Sequence, residues 1–274
     1  MTGGPRSLAQ LAGSASLQGF CALGLAFLIA PIVVIIPLSF NAEALFHYPM
    51  QGVSLRWYAA VVTSSGWHRA LVNSLIVGIS ATCLATLLGG LAALGLNRLR
   101  TRWKTLLTCL MISPMIIPGV ITALALFLFF SNLGLTGNLV GITVGHTILG
   151  IPFVILTLTA ALAGFDANLL RAASSLGANP VTALRRVLLP ILLPAVASSA
   201  VFVFVTSFDE FIVTLFLAGP EQITLPLQMW TGVHDDVTPA ILAAATLFVL
   251  ISIAMLAMIE ILRRRTARLT VAAT

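Results

Sequence analysis

Charge is what this sequence has least of. Asp, Glu, Lys and Arg make up 8% of its 274 residues and apolar residues 59%, where a soluble domain carries about 25% and about 45–50%. So few charges cannot cover a water-exposed surface. With a mean hydropathy of +1.09, the composition excludes an ordinary soluble domain and points to a helical bundle in lipid. Cysteine is nearly absent. Cys21, Cys83 and Cys109 each sit inside an apolar run, without metal-site spacing or the even count of a disulfide framework; they read as buried small hydrophobes. A Gly-rich phosphate loop ending in Gly-Lys-Ser/Thr is missing, so the chain supplies no ATP site of that kind, and any energy from ATP would need a partner. No cluster of His and acidic residues converges as an enzyme site requires, and one His inside a run makes no metal site. The chain therefore reads as a non-enzyme without a cofactor. The net charge of +6 raises nucleic acid as a partner, but the basic residues lie in short segments between apolar runs, with no aromatic-basic surface. No nucleic acid is expected.

What is abundant is uninterrupted apolar sequence. A spanning helix needs about 20 mainly apolar residues, and six runs qualify: approximately 17–40, 71–95, 105–130, 138–162, 194–217 and 239–262. The first is longer than a signal-peptide core of about 7–15 residues, so it is expected to be a retained span. Loop charge sets the orientation. Arg98, Arg100, Arg102 and Lys104 follow run two; Arg171, Arg185 and Arg186 follow run four; Arg263, Arg264, Arg265 and Arg268 follow run six. The opposite connections hold only Arg56 and Arg69, and the loop after run five carries Glu221, Asp235 and Asp236. With Arg6, twelve of the 14 basic residues share one side, which places both termini in the cytoplasm. Trp57, Tyr58, Trp67, Trp103 and Trp230 lie at or just beyond run ends, where amphipathic rings prefer the headgroup level. Pro114, Pro118 and Pro152 fall inside runs. They mark either packing kinks or helices bent around a translocation path.

The connection over 163–190 has more structure than a minimal loop. Asp166 or Asn168 suits a helix start, and Leu169, Ala173 and Leu176 recur at helical spacing. Gly177 is a natural stop. Asn179-Pro180 restarts a helix, with Asn as cap and Pro at the first helical position, and Leu189-Pro190 leads into run five. Such an element suits docking into a partner's groove or lying flat on the lipid headgroups; local chemistry leaves both open.

The spacing Ala172-Ala173, Gly177, Val187-x-Leu189-Pro190 resembles the EAA loop of binding-protein-dependent ABC permeases, whose pattern is Glu-Ala-Ala, three residues, Gly, nine residues, Ile-x-Leu-Pro. Every interval matches; Val187 replaces Ile, and Arg171 stands where the family has Glu. Asn73-Ser74, His146 with Pro152, Ser207-Phe-Asp-Glu-Phe211, and Gly219-Pro220 with Thr224-Leu-Pro-Leu227 are similar to the spermidine/putrescine-type branch. The resemblance runs from about Leu17 to Leu262. It implies an all-α, six-span, type I importer permease fold in a bacterial inner membrane, as a single domain. It also implies a related second permease, an ATPase dimer and a periplasmic solute-binding protein. The coupling helix would lie at 168–178, with Arg171, Ala172, Ala173, Leu176, Gly177, Ala178, Pro180, Leu189 and Pro190 as the ATPase-coupling set.

Asp209 and Glu210 are the only acidic pair within a run. An intramembrane charge costs on the order of 2.5–3.5 kcal/mol on insertion scales, so two adjacent ones need a reason. Neighbouring helical positions point about 100° apart, so only one of the two can face a given direction. The functional reading is an attractive site for a cationic solute, such as a polyamine; the alternative is a structural pair between two permeases. Thr206 and Ser207 are adjacent polar candidates for the path. His146 either bridges helices or joins them in lining the path. Glu260, close to Arg263 and Arg264, reads as an intrahelical pair. Ferric iron, an amino acid or an opine-like compound is the alternative solute. A secondary transporter or channel is the rival class, but duplicated halves are missing and the 163–190 element would then have no task.

Overall fold

The computed structural model describes residues 8–43, 50, 52–99, 101–235 and 239–271; Arg6, Arg100 and Asp236, used above for orientation, lie outside them. The described chain is helical, with one isolated antiparallel bridge between Asn41 and Val53. It divides into two units, Met1–Thr63 with Gly232–Phe248, and Ser64–Thr231 with Val249–Thr274.

The first unit contains α1 (Leu8–Leu38) and α2 (Arg56–Thr63). Every residue from Leu17 to Val34 is exposed, so α1 is apolar all round, as a lipid-facing helix is. Its polar end is tied down. Trp57 Nε1 donates to the Asn41 carbonyl at 2.9 Å, Ser39 and Tyr58 share a hydroxyl hydrogen bond, and Ser54 N donates to the Phe40 carbonyl at 2.8 Å.

The second unit holds α3 (Ser65–Arg98), α4 (Trp103–Ile116), α5 (Gly119–Ser131), α6 (Leu139–Ala163), α7 (Asn168–Ser175), α8 (Pro180–Ala183), α9 (Leu189–Asp209) and α10 (Ile212–Leu217). A π-helical turn, Leu184–Leu188, joins α8 to α9. Helices α11 (Leu225–Asp235) and α12 (Pro239–Val271) run across the boundary between the units. The core is the bundle of α3, α6 and α9, around Ala85, Ala93, Val154, Leu158, Leu192 and Val203. Small residues let these backbones approach closely, the usual solution in lipid where burial gives little drive. A Cβ on Gly89 would sit 2.8 Å from Val154 Cβ, and one on Gly150 2.7 Å from Val203 Cγ1. A second cluster, Val77, Ala123, Phe130, Ile142, Val213 and Leu217, fastens α5 and α10 to α6 and α3.

Among the described residues, four helical stretches are long and apolar enough to cross a membrane: Leu17–Leu38, Ser65–Arg98, Leu139–Ala163 and Pro180–Asp209. The predicted run 105–130 is a bent pair, α4 and α5 meeting at 104°, and Pro239–Ala254 is an apolar stretch at the start of α12. Three expectations change. Run 105–130 is two helices, because Pro118 lacks an N–H and biases Ile117 to extended backbone. The connection 163–190 is separate from run five only as far as Asn179, where it holds α7 and its turn; its second half is the start of the helical stretch Pro180–Asp209, and run five breaks at Glu210. The three cysteines are exposed rather than buried, since the apolar-inside rule of water does not hold for a surface that faces lipid.

Candidate functional site

The break in run five is where the acidic pair sits. Helix α9 ends at Asp209, and Glu210 adopts extended backbone with φ −74° and ψ 118°. The Glu210 carboxylate then accepts the backbone N–H of Val213 at 3.0 Å, satisfying one of the orphan donors at the start of α10. Asp209 is exposed. The two acids thus divide as their angular offset required: Glu210 is committed to its own backbone, whereas Asp209 is presented outward.

The bend between α4 and α5 lies against this break. Gly119 opens α5 and Ile212 opens α10, and a Cβ on Gly119 would be 3.5 Å from Ile212 Cδ1. Two interrupted helices therefore meet at their interruptions, an arrangement tolerated in lipid only where backbone is buried in protein or lines a cavity. On the same stretch the Phe211 ring lies 5.2 Å from that of Trp230, centroid to centroid.

His146 on α6 is 1% exposed. Its Nδ1 lies 2.8 Å from Ser207 Oγ on α9 and its Nε2 3.1 Å from Thr214 Oγ1 on α10. His146, Thr206, Ser207 and Glu210 border one small cavity, with Leu149, Gly150 and Val203. The structure so brings four of the five path candidates to one place, with Asp209 outside the cavity lining. Thr214 was not singled out from the sequence; a Thr in an apolar helix is an ordinary residue until its partner is known.

A second cluster explains two sequence features that had no task. Asn73 Nδ2 donates to the carbonyls of Glu221 and Ile223 at 2.9 and 3.0 Å, and Ser74 Oγ accepts the Leu225 N–H at 2.7 Å. Both side chains are buried. They clasp the segment entering α11, satisfying backbone groups that irregular structure leaves open. An exposed ion pair, Arg69 to Glu221 at 3.6 Å, lies on the same segment and adds little.

The 163–190 segment folds as a helix-turn-helix. Asp166 Oδ1 accepts the Asn168 N–H at 2.9 Å and α7 follows. Gly177, at φ +83°, ends it. Gly177 N donates to the Ser174 carbonyl and Ala178 N to the Ala173 carbonyl, each at 3.0 Å, the paired bonds of a Schellman turn. Asn179 Oδ1 caps α8 through the Thr182 N–H at 2.8 Å, with Pro180 at its start. Arg171 Nη1 donates to Asn168 Oδ1 at 3.1 Å. Arg171, Ala172, Leu176, Gly177, Pro180, Leu189 and Pro190 are exposed, while Ala173 and Ala178 are half-buried. Leu176 is 89% exposed at the tip of the turn.

The chain is similar to known proteins. The model of the family described as binding-protein-dependent transport system inner membrane component matches residues 85–268. The spermidine/putrescine transport system permease protein PotC of Escherichia coli K12 is 32% identical over 246 residues, covering 90% of this chain and 93% of PotC. The putrescine transport system permease protein PotI of the same strain is 31% identical over 232 residues, 82% of each chain. Among solved structures, a chain of a bacterial alginate ABC transporter in complex with alginate pentasaccharide-bound periplasmic protein superposes with a TM-score of 0.72. It is 17% identical, over 95% of both chains, so it speaks to the fold alone.

Proposed function

The chain belongs to the family of binding-protein-dependent transport system inner membrane components, and from that membership we propose the following division of labour along it. The family is a transport component, so the chain is a permease subunit of the inner membrane and not an enzyme. Together with a second, related permease it forms a path for a small cationic solute of the polyamine class. A periplasmic binding protein delivers the solute. An ATPase dimer grips α7 and its turn from the cytoplasm, and both termini lie on that side, with six spans in all.

One observation carries the solute reading: the acidic pair is split at the helix break. A carboxylate that caps a helix is accounted for structurally. An exposed one at membrane depth is not, and such acids mark solute or ion pathways. Asp209 ends α9, where the helix C-terminus itself favours a cation, so the carboxylate and the helix end act in the same direction on an ammonium group. The names of the relatives PotC and PotI support a polyamine. The coupling reading rests on the exposed Leu176 beside a rigid Schellman turn.

The test is uptake of labelled putrescine and spermidine into proteoliposomes holding the whole transporter. Asp209→Asn keeps the size of the side chain and removes its charge. Uptake is expected to fall about ten-fold or more, the effect of one charge-assisted hydrogen bond of about 1.5–3 kcal/mol. Undiminished uptake of both compounds, with the variant present in the membrane, would remove Asp209 from the path.

A further inference from the structure

We propose that His146 is the splint that sets the break between α9 and α10, and so fixes where Asp209 stands. The inference rests on the reading that this break lines the solute path. It adds that the geometry of the break is imposed from α6.

The break lacks the usual causes. Neither Pro nor Gly occupies Asp209–Phe211, so the usual residue causes of a kink are missing from the break itself. Helix α6 supplies a side chain that braces it from outside, through hydroxyls on either side of the break rather than through the backbone ladder. The two imidazole nitrogens reach across the interruption, Nδ1 to Ser207 before it and Nε2 to Thr214 after it. A neutral imidazole has one donor and one acceptor. With the hydrogen on Nε2, Ser207 donates to Nδ1, Nε2–H donates to Thr214, and the Thr214 hydroxyl is left to donate to the Glu210 carbonyl at 3.4 Å. That polarity gives every hydroxyl a role and supplies a donor to the residue where the helix parts. The opposite polarity spends the Thr214 hydrogen on the ring and leaves the Glu210 carbonyl without it.

Packing on either side of His146 points the same way. Gly145 lies against α10, where a Cβ would meet Val213 Cγ1 at 2.9 Å and Leu217 Cδ1 at 3.2 Å. Gly150 lies against α9, where one would meet Val203 Cγ1 at 2.7 Å. One stretch of α6 thus offers a close seat to each half of the broken span with a bridging side chain between the seats. Being 1% exposed, His146 has no surface to give the solute. It is a positioning residue that acts through Asp209.

Hydrogen exchange on the assembled transporter, read together with uptake, separates this proposal from the path reading. In His146→Ala, amides of the 210–217 segment are expected to exchange about ten-fold faster, since both bridging bonds are lost. Putrescine delivered per ATP hydrolysed should fall by a similar factor. His146→Asn keeps an amide near the Nδ1 position and His146→Gln near the Nε2 position, so each should restore part of both readouts. In an Asp209→Asn background His146→Ala should cost little further uptake, because a positioning residue has nothing left to position. Unchanged exchange over 210–217 overturns the splint, as does identical behaviour of the Ala, Asn and Gln variants. Faster exchange with normal uptake upholds the splint and refutes the path reading instead. Thr214→Val, which deletes one partner while keeping the side-chain shape, serves where His146→Ala does not reach the membrane.

Discussion

Gly177 offers the sharpest test of the coupling element, because steric space and backbone strain separate cleanly there. Its φ of +83° lies in the left-handed region, and a Cβ at this position would meet nothing within 4 Å. Any effect of substitution is therefore conformational. An ordinary L-residue in that region costs roughly 1–2 kcal/mol, Asn less because it tolerates it, and a β-branched residue more. A shift of 1–2 kcal/mol is a factor of about 5–30 in an equilibrium, here between the formed Schellman turn and a frayed one. The turn aims Leu176 outward, so fraying withdraws the apolar contact from the ATPase. The expected series is Gly177→Asn within about two-fold of the parent, Gly177→Ala several-fold lower, and Gly177→Val lowest. The measurements are putrescine uptake and ATP hydrolysis by the reconstituted transporter, reported as their ratio. Membrane levels should be equal across the series, as no neighbour is displaced. Should Val couple as well as Asn does, the turn would be passive and the lever reading would fail.

Leu176→Asp should weaken recovery of the ATPase with the tagged permease by about 10–100-fold, the loss of one buried leucine of about 1.5–3 kcal/mol. Equal recovery would place Leu176 outside the contact. Gly89→Ala should lower the thermal midpoint of the detergent-solubilised protein, since its Cβ would press on Val154 and on the Ile151 carbonyl at 3.2 Å, an overpacking cost of about 1–3 kcal/mol. Gly95→Ala, with nothing within 4 Å, is the matched control. It should be neutral or stabilising by up to about 1 kcal/mol. If the two variants melted alike, the close approach of α3 and α6 would not be the cause.

The long apolar helices were legible because lipid demands long apolar runs and little else. Where the runs break was not, because a proline states only that an N–H is missing. Pro114, Pro118 and Pro152 look alike in sequence, yet only Pro118 ends a helix; Pro114 and Pro152 lie inside α4 and α6. Pro190 and Pro194 likewise sit inside α9. The π-helical turn just before them, in which Leu189 N reaches back to the Leu184 carbonyl, widens the ladder where the proline ring needs room. Which prolines are absorbed depends on neighbours far along the chain, so a window of local sequence does not hold the answer. The same logic explains the cysteines. Exposure to lipid costs a thiol little, so their position in an apolar run says nothing about facing inward.

The site was half legible for a related reason. The coupling segment is written in local chemistry: Asp166, Gly177, Asn179 and Pro180 each act on backbone within a few residues, so caps and stops read from sequence are the ones found. The acidic pair invited a reading by charge alone, which treats Asp209 and Glu210 as equals. What divides them is a helix break that local propensity does not announce, and once it exists the orphan N–H groups at the start of α10 claim the nearer carboxylate. Glu210 is then a cap and Asp209 the unspent charge. The cause of that break sits about sixty positions upstream, on His146 and its flanking glycines. The sequence offered His146 as a bridge or a path residue without deciding between them, and the glycines on either side of it carried no signal of their own. The meaning of His146 comes from Ser207 and Thr214, which face the two nitrogens only after α6, α9 and α10 have packed.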